Sequence, residues 1–317
     1  MNEQHFFITG GAGFIASHLI DRLLSEGHRV TTLDNFDPFY DRSVKESHIA
    51  AHRNNSRYRF LEGDICDLDF LLQNFTERYD AIVHLAAKAG VRPSIQSPAD
   101  YQRVNVTGTQ SLLEFAKKRS IRQFIFCSSS STYGVNPKVP WSEEDNVLLP
   151  ISPYAATKIA GELLGHVYSH LYGMRFIALR LFTVYGPRQR PDLAIAKFAR
   201  LMLADQPIPF YGDGSTRRDY TFVHDIVDGI LAALRYDKSI YEIINLGNHD
   251  TVSLTDLVTV MEQVFEKKAL LEYLPAQEGD VPQTFADIEK AHNLLGYVPK
   301  YDIKRGLQVF GEWFFKG

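Results

Sequence analysis

The sequence predicts an α/β protein: a doubly wound parallel sheet with a smaller lobe interleaved at the C-terminal end. Three observations carry that prediction. Short apolar runs rich in Phe, Ile and Val alternate with helix-length spacers through the first half of the chain. The first run leads into a glycine-rich turn, Thr9-Gly-Gly-Ala-Gly-Phe-Ile-Ala16. After Arg180 the texture changes to segments punctuated by Pro187, Pro191, Pro207, Pro209, Gly212 and Gly214. Strands that are apolar throughout, rather than at alternate positions, belong to a sheet covered on both faces, and helix-length spacers make such strands parallel.

In chain order the runs predict strands at 5–9, 29–33, 58–61, 80–84, 123–127 and 176–179. Ser152-Pro153 marks a helix start, with Ser152 as the cap and Pro153 in the first turn, where its missing N–H costs nothing. A helix near 225–236 and a strand near 242–246 are expected to return to the sheet. The division is therefore a sheet domain over 1–180 rejoined by 223–246, with a lobe drawn from 181–317.

At 317 residues the chain is long enough for a large two-lobed unit. Hydrophobic residues make 45% and charged residues 23%, and the net charge of -4 leaves no nucleic-acid footprint, so an acidic small molecule must be met by local arginines. Cys66 and Cys127 lack metal-ligand spacing and read as buried, reduced thiols. No apolar stretch reaches the roughly 18 residues of a membrane span, and no signal peptide is legible; a cytoplasmic protein without a membrane partner is expected.

Two constellations carry chemistry. Gly10-x-x-Gly13-x-x-Ala16 between a strand and a helix lets the backbone and the helix N-terminus approach a pyrophosphate. Asp34, at the end of the second strand, is placed to accept from a ribose diol and to repel a 2'-phosphate, which favours NAD over NADP. Tyr154-Ala-Ala-Thr-Lys158 puts a phenol and an ammonium on one helix face. Bringing a phenol from pKa ~10 to ~7 requires stabilising its anion by roughly 4 kcal/mol, which a fixed cation and a cationic cofactor ring can supply. His166 and His170 share the i, i+4 spacing of metal ligands, but no glutamate follows His166 and no third ligand is evident, so no metal site is expected.

With His84-Leu-Ala-Ala87, Asn105-Val-Thr-Gly108, Gly212-Asp-Gly214 and Arg217-Arg-Asp219, these residues resemble the extended short-chain dehydrogenase/reductase family over essentially the whole chain. The resemblance implies that Ser129, Tyr154 and Lys158 are catalytic. It implies that Asp34 and Asn35 hold the adenosine ribose of NAD and that Asp64 and Ile65 border the adenine. It also gives cofactor contacts to Gly10, Gly13, Phe14, Ile15, Leu85, Ala86, Ala87, Asn105, Tyr154, Lys158 and Phe182. A homodimer through helices near 99–118 and 153–172 is implied as well. Dehydratases and decarboxylases of this family carry an acid beside the catalytic hydroxyl, whereas this chain reads Ser129-Ser-Ser-Thr-Tyr-Gly134. Elimination is thereby disfavoured. Thr132 stands where the family usually has Val, a change the sequence does not explain.

Arg180-Leu-Phe-Thr-Val-Tyr-Gly-Pro-Arg-Gln-Arg-Pro-Asp192, with Phe39-Tyr-Asp41 and Lys45, is most similar to the UDP-glucuronate 4-epimerases. That implies reversible oxidation at C4 of a UDP-uronic acid through a 4-keto sugar. Arg190 is the choice for a bidentate contact to the sugar carboxylate, with Thr183 beside it. Spacing does not rank Arg190 above Arg188, Arg92 remains a further candidate, and pairing of Arg190 with Asp192 is the plainer reading. By resemblance Arg218 meets the diphosphate, Asp280 the uridine ribose and Phe210 the uracil. The rivals are an epimerase of UDP-glucose or UDP-N-acetylglucosamine, another NAD-dependent nucleotide-sugar oxidoreductase, and a non-catalytic NAD-binding sensor.

Overall fold

The computed structural model describes residues 3–145, 149–275 and 281–316. In chain order the strands are β1 (His5–Thr9), β2 (Arg29–Asp34), β3 (Tyr58–Glu62), β4 (Ala81–His84), β5 (Gln123–Ser129), β6 (Arg175–Leu181), β7 (Thr183–Tyr185), β8 (Ile208–Tyr211), β9 (Arg217–Arg218), β10 (Tyr220–Phe222), β11 (Tyr241–Leu246), β12 (Val252–Ser253) and β13 (Leu271–Leu274). Seven of them form one parallel sheet in the order β11-β6-β5-β4-β1-β2-β3, and the remaining six pair two by two. Several sheet strands run one or two residues past the apolar runs. Asp34, Ser128, Ser129 and Arg180 continue the ladder because their side chains are satisfied locally, Asp34 by backbone N–H groups and Ser128 and Arg180 by Glu162.

The sheet is buried on both faces. In β1, Phe6 and Ile8 face a core shared with the helix Phe14–Ser25 and the helix Val223–Arg235, while Phe7 faces a second core with Phe75, Phe115, Phe124 and Phe176. β11 pairs with β6 from Tyr241↔Phe176 to Leu246↔Leu181, so the chain returns to the sheet after its excursion into the lobe. The return extends further than the sequence suggested. Ala291 and Tyr297, from a segment assigned to the lobe, sit in the sheet-side core, because the short helix Glu289–Leu295 packs on β11 and on the helix Val223–Arg235. The lobe keeps its own core around Phe198, Met202, Phe210, Phe222, Met261 and Phe310.

The helix Pro153–Tyr172 carries the Tyr-x-x-x-Lys pair. Ser152 Oγ accepts from Ala155 N at 3.1 Å, Pro153 occupies the first turn, and Gly173 ends the helix in the left-handed region at φ 64°. Gly161 lets the helix lie directly on β5, since a Cβ there would stand 2.3 Å from Phe126 Cζ. Gly161→Ala is expected to lower stability by about 1–3 kcal/mol through overpacking. Urea unfolding checks this, and an unchanged midpoint would show that the helix can lift away freely.

Candidate active site

The C-terminal ends of the central strands open onto one elongated cavity whose wall includes Gly10, Gly13, Phe14 and Ile15 from the first turn and helix. Gly10 has φ 70°, and a Cβ there would come within 2.8 Å of Ala86 N, so the two backbones nearly touch across the crevice. At Gly13 a Cβ would press on Gly10 O at 3.0 Å. Gly11, unread in the Gly-x-x-Gly pattern, is equally constrained, since its Cβ would strike Thr32 at 2.4 Å; the doubled glycine was the available signal. No side chain caps the helix at Gly13, which leaves first-turn N–H groups available to an anion. This cradle fits a dinucleotide pyrophosphate.

Asp34 and Asn35 line the same wall. Asp34 Oδ2 accepts from Ala12 N at 3.1 Å and Oδ1 from Phe36 N at 2.8 Å, which fixes the carboxylate while leaving a lone pair on each oxygen. Burial pushes the Asp34 carboxyl up from its ordinary range, and the Phe36 N–H, the Lys45 ammonium and the Ala12 N–H pull it back. Asp64 and Ile65, with Leu85, Ala86 and Ala87 after β4, complete this half. Asn105 does not belong to the wall. It lies buried in a π-helical turn, Gln102–Thr107, accepting from Lys88 N at 2.8 Å and donating to Lys88 O at 2.9 Å and Thr157 Oγ1 at 3.0 Å. Its two-sided amide is used up in pinning the loop behind the cavity.

Ser129, Tyr154 and Lys158 meet at the end of β5. The Ser129 side chain acts on the Tyr154 phenol, and Ser129 Oγ accepts from Ser131 N at 3.1 Å. Lys158 Nζ donates to Cys127 O at 2.6 Å and stands 5.9 Å from the Tyr154 ring centre. Burial pushes the Tyr154 phenol up and the Cys127 thiol adds to this; the Ser129 side chain and the Arg190 guanidinium act downward. Lys158 is lowered by burial and supported by Cys127 and Glu162. Desolvation of the phenol and of the ammonium thus works against the acidification, which the sequence assigns to the fixed cation together with the cationic cofactor ring. Thr132 now has an account: fully buried, it donates through Oγ1 to Ser129 O at 2.9 Å and secures the turn that presents Ser129, a bond valine could not make.

Phe182 and Thr183 reach the wall after β6. Arg190 reaches it too, 5.0 Å above the Phe39 ring, but its fork is occupied: Nε and Nη2 donate to the Asp192 carboxylate at 3.0 and 2.8 Å. Arg188 turns the other way, pairing with Asp21 and reaching His18 Nδ1 at 3.1 Å, and its φ of 62° sets that direction. It is removed from the carboxylate candidates. Arg92, Phe210 and Arg218 stand outside this wall: Arg92 lies 6.0 Å from the Tyr211 ring, Phe210 is 4% exposed in the lobe core, and Arg218 Nη1 donates to Arg217 O. Asp280 lies outside the described residues. Cys66 and Cys127 are both free cysteines of intermediate exposure, and Cys127 lines the cavity. His166 and His170 stack at 6.5 Å, and among the described residues no cluster of three or more His, Cys, Asp or Glu could hold a metal ion. No helix among them is long and apolar enough to cross a membrane.

Residues 6–247 match the model of one protein family. The chain belongs to the NAD dependent epimerase/dehydratase family. NAD is its cofactor, and in this epimerase/dehydratase chain the glycine cradle and Asp34 are the residues that fit it. The UDP-glucuronate 4-epimerase of Thermodesulfobacterium geofontis is 39% identical over 312 residues, covering 98% of this chain and 95% of its own. The crystal structure of UDP-glucuronic acid 4-epimerase from Bacillus cereus, in complex with UDP-glucuronic acid and NAD, superposes with a TM-score of 0.90 at 38% identity, covering 98% of this chain and 99% of that one. The UDP-glucose 4-epimerase of Thermotoga maritima, with UDP-glucose, gives 0.90 at 32% identity and the same coverage.

Asp34→Ala is expected to weaken NAD binding by about tenfold or more and to admit NADP, since a charged acceptor and a repulsive charge are lost together. Fluorescence titration of the cofactor-free protein with each dinucleotide measures this. Unchanged discrimination would remove Asp34 from the ribose site.

Proposed function

We propose that the protein interconverts UDP-glucuronate and UDP-galacturonate by inversion at C4 of the sugar. The observation that carries this reading is the placement of an arginine, Arg190, and Thr183 in the same wall as Ser129, Tyr154 and Lys158, so that a guanidinium faces the cavity where proton transfer is prepared. The family, shown above, supplies the reaction class, and the full-length relatives named for UDP-glucuronate support the sugar. When bound, NAD supplies a positive ring and a reversible two-electron acceptor, so no external reductant is consumed.

Tyr154, as the phenolate that the Lys158 charge stabilises, takes the C4 hydroxyl proton through or beside Ser129 and becomes the neutral phenol. The 4-keto uronic acid then presents its other face within the pocket and is reduced again. That intermediate is a β-keto acid, open to loss of carbon dioxide when its carboxylate aligns with the carbonyl π system. Arg190 and Thr183 hold the carboxylate out of that alignment. Because Asp192 engages Nε and Nη2, Arg190 meets the substrate with its remaining Nη1 edge or exchanges Asp192 for the sugar carboxylate.

The engaged fork is also the observation favouring a second reading, an epimerase of neutral UDP-hexoses, to which a guanidinium already neutralised by Asp192 is no obstacle. Chromatography of the products from UDP-glucuronate and from UDP-glucose, without added NAD, separates the two. Arg190→Met is expected to raise KM for UDP-glucuronate about tenfold or more while leaving NAD binding unchanged, the loss of a charge-assisted hydrogen bond. The variant should also release a decarboxylated UDP-pentose, visible by NMR of the reaction mixture. Native affinity for UDP-glucuronate in this variant would place the carboxylate elsewhere.

A further inference from the structure

Glu162 lies one turn beyond Lys158 on the helix Pro153–Tyr172, outside the cavity wall, and is 3% exposed. It completes a ladder between that helix and the end of β5. Tyr154 meets Ser129, Lys158 Nζ meets Cys127 O at 2.6 Å, and Glu162 Oε1 accepts from Ser128 Oγ at 2.5 Å. From β6, Arg180, 2% exposed, donates to the Glu162 carboxylate through Nε at 2.9 Å and Nη2 at 2.8 Å. The guanidinium lies 4.8 Å above the Tyr133 ring, whose hydroxyl donates to Asn245 Oδ1 in β11 at 2.7 Å.

A fully buried ion pair is weak as a stabilising device, since apolar side chains of the same shape often hold a fold equally well. Its charge therefore needs another reason. The groups around Lys158 are Tyr154 and Glu162 on its own helix, the Cys127 thiol on β5, His84 on β4, and Arg180 on β6 behind Glu162. Burial lowers His84 to about 3 and raises the Cys127 thiol, so both are neutral at pH 7. The Glu162 carboxylate, four residues away along the helix and itself held by Arg180 and Ser128, is then the anion whose charge acts on the ammonium.

We propose that Glu162, clamped by Arg180 and Ser128, is a positioning residue for the reaction, keeping the buried Lys158 ammonium charged and fixing the helix register that sets Tyr154 against Ser129. This rests on the reading of Tyr154 as proton acceptor. Activity then requires Lys158 protonated, and loss of its proton gives the upper limb of the pH profile. Removing the anion lowers the pKa of the ammonium, so that limb moves to lower pH.

The test compares Glu162→Gln, Glu162→Asp and the double variant Glu162→Gln/Arg180→Met, each NAD-bound, by pH profiles of kcat and KM with UDP-glucuronate and by NMR titration of 13Cε-labelled Lys158. The double variant removes the orphaned guanidinium that could unfold the single one. Expected are an upper limb and a Lys158 ionisation lowered by about one pH unit in Glu162→Gln, a smaller shift in the double variant, where a cation leaves together with the anion, an unchanged KM, and recovery of the limb in Glu162→Asp. A folded Glu162→Gln with a wild-type limb and wild-type Lys158 ionisation overturns the proposal, leaving the pair a purely structural one, and so does a folded double variant that keeps wild-type kcat throughout the pH range. If Tyr154→Phe turns over normally, the proton-acceptor reading fails by itself, and the Lys158 titration still decides whether Glu162 sustains the charge.

Discussion

The site depends on a constraint of topology: β1 sits between β4 and β2, where the order of the sheet reverses. Parallel strands joined by right-handed crossovers send their helices to opposite faces on either side of such a point. The helix following β1 packs with Phe6 and Ile8, whereas the helix Gly108–Lys118, which follows β4, packs with Phe7 on the other face. The strand ends therefore splay into a crevice, and its floor is the near-contact of Gly10 with Ala86. Any side chain at position 10 would close the floor that the topology opens.

Above that floor the chemistry is arranged by burying polar groups and then satisfying them one by one. Ser129 is held through its own carbonyl by Thr132 and through its hydroxyl by Ser131 N, so the oxygen facing Tyr154 has little freedom to turn. Asn105 and Thr157 do the same for the loop at Lys88, one helix removed. Side chains locked in this way lose little further entropy when a ligand arrives, and reactive atoms held in place contribute to rate through orientation. The cost is desolvation, which sets the Tyr154 phenol and the Lys158 ammonium each toward its neutral form.

Much of this was legible in the sequence wherever function is carried by backbone geometry or helical spacing. Gly10 and Gly13 announce a tight turn, Asp34 follows a strand of known length, and Ser152-Pro153 starts a helix whose register then fixes Tyr154 and Lys158. What could not be read depends on the direction of a side chain at a distance. Arg188 and Arg190 are two residues apart in one loop, yet a positive φ at Arg188 sends it to Asp21 while Arg190 folds onto Asp192. Asn105 directly follows Val104, which lines the cavity, but its own side chain is buried in the π-helical turn. Glu162 and Arg180 carry no pairing signal in the sequence; the helix Pro153–Tyr172 and the pairing of β5 with β6 bring them together beneath Tyr133. Ala291 and Tyr297 fell to the lobe because no periodicity in so short a helix signals which core it joins.

The returning chain has one further consequence. The polypeptide leaves the sheet after Leu181, comes back with the helix Val223–Arg235 and β11, departs again after Leu246, and comes back once more with the helix Glu289–Leu295. Buried Asp219 fastens the junction, accepting from Asn248 N at 2.7 Å, His249 N at 3.1 Å and Ala286 N at 3.2 Å. Each crossing adds a covalent restraint between sheet and lobe, so any movement of one against the other must be taken up at several connections at once.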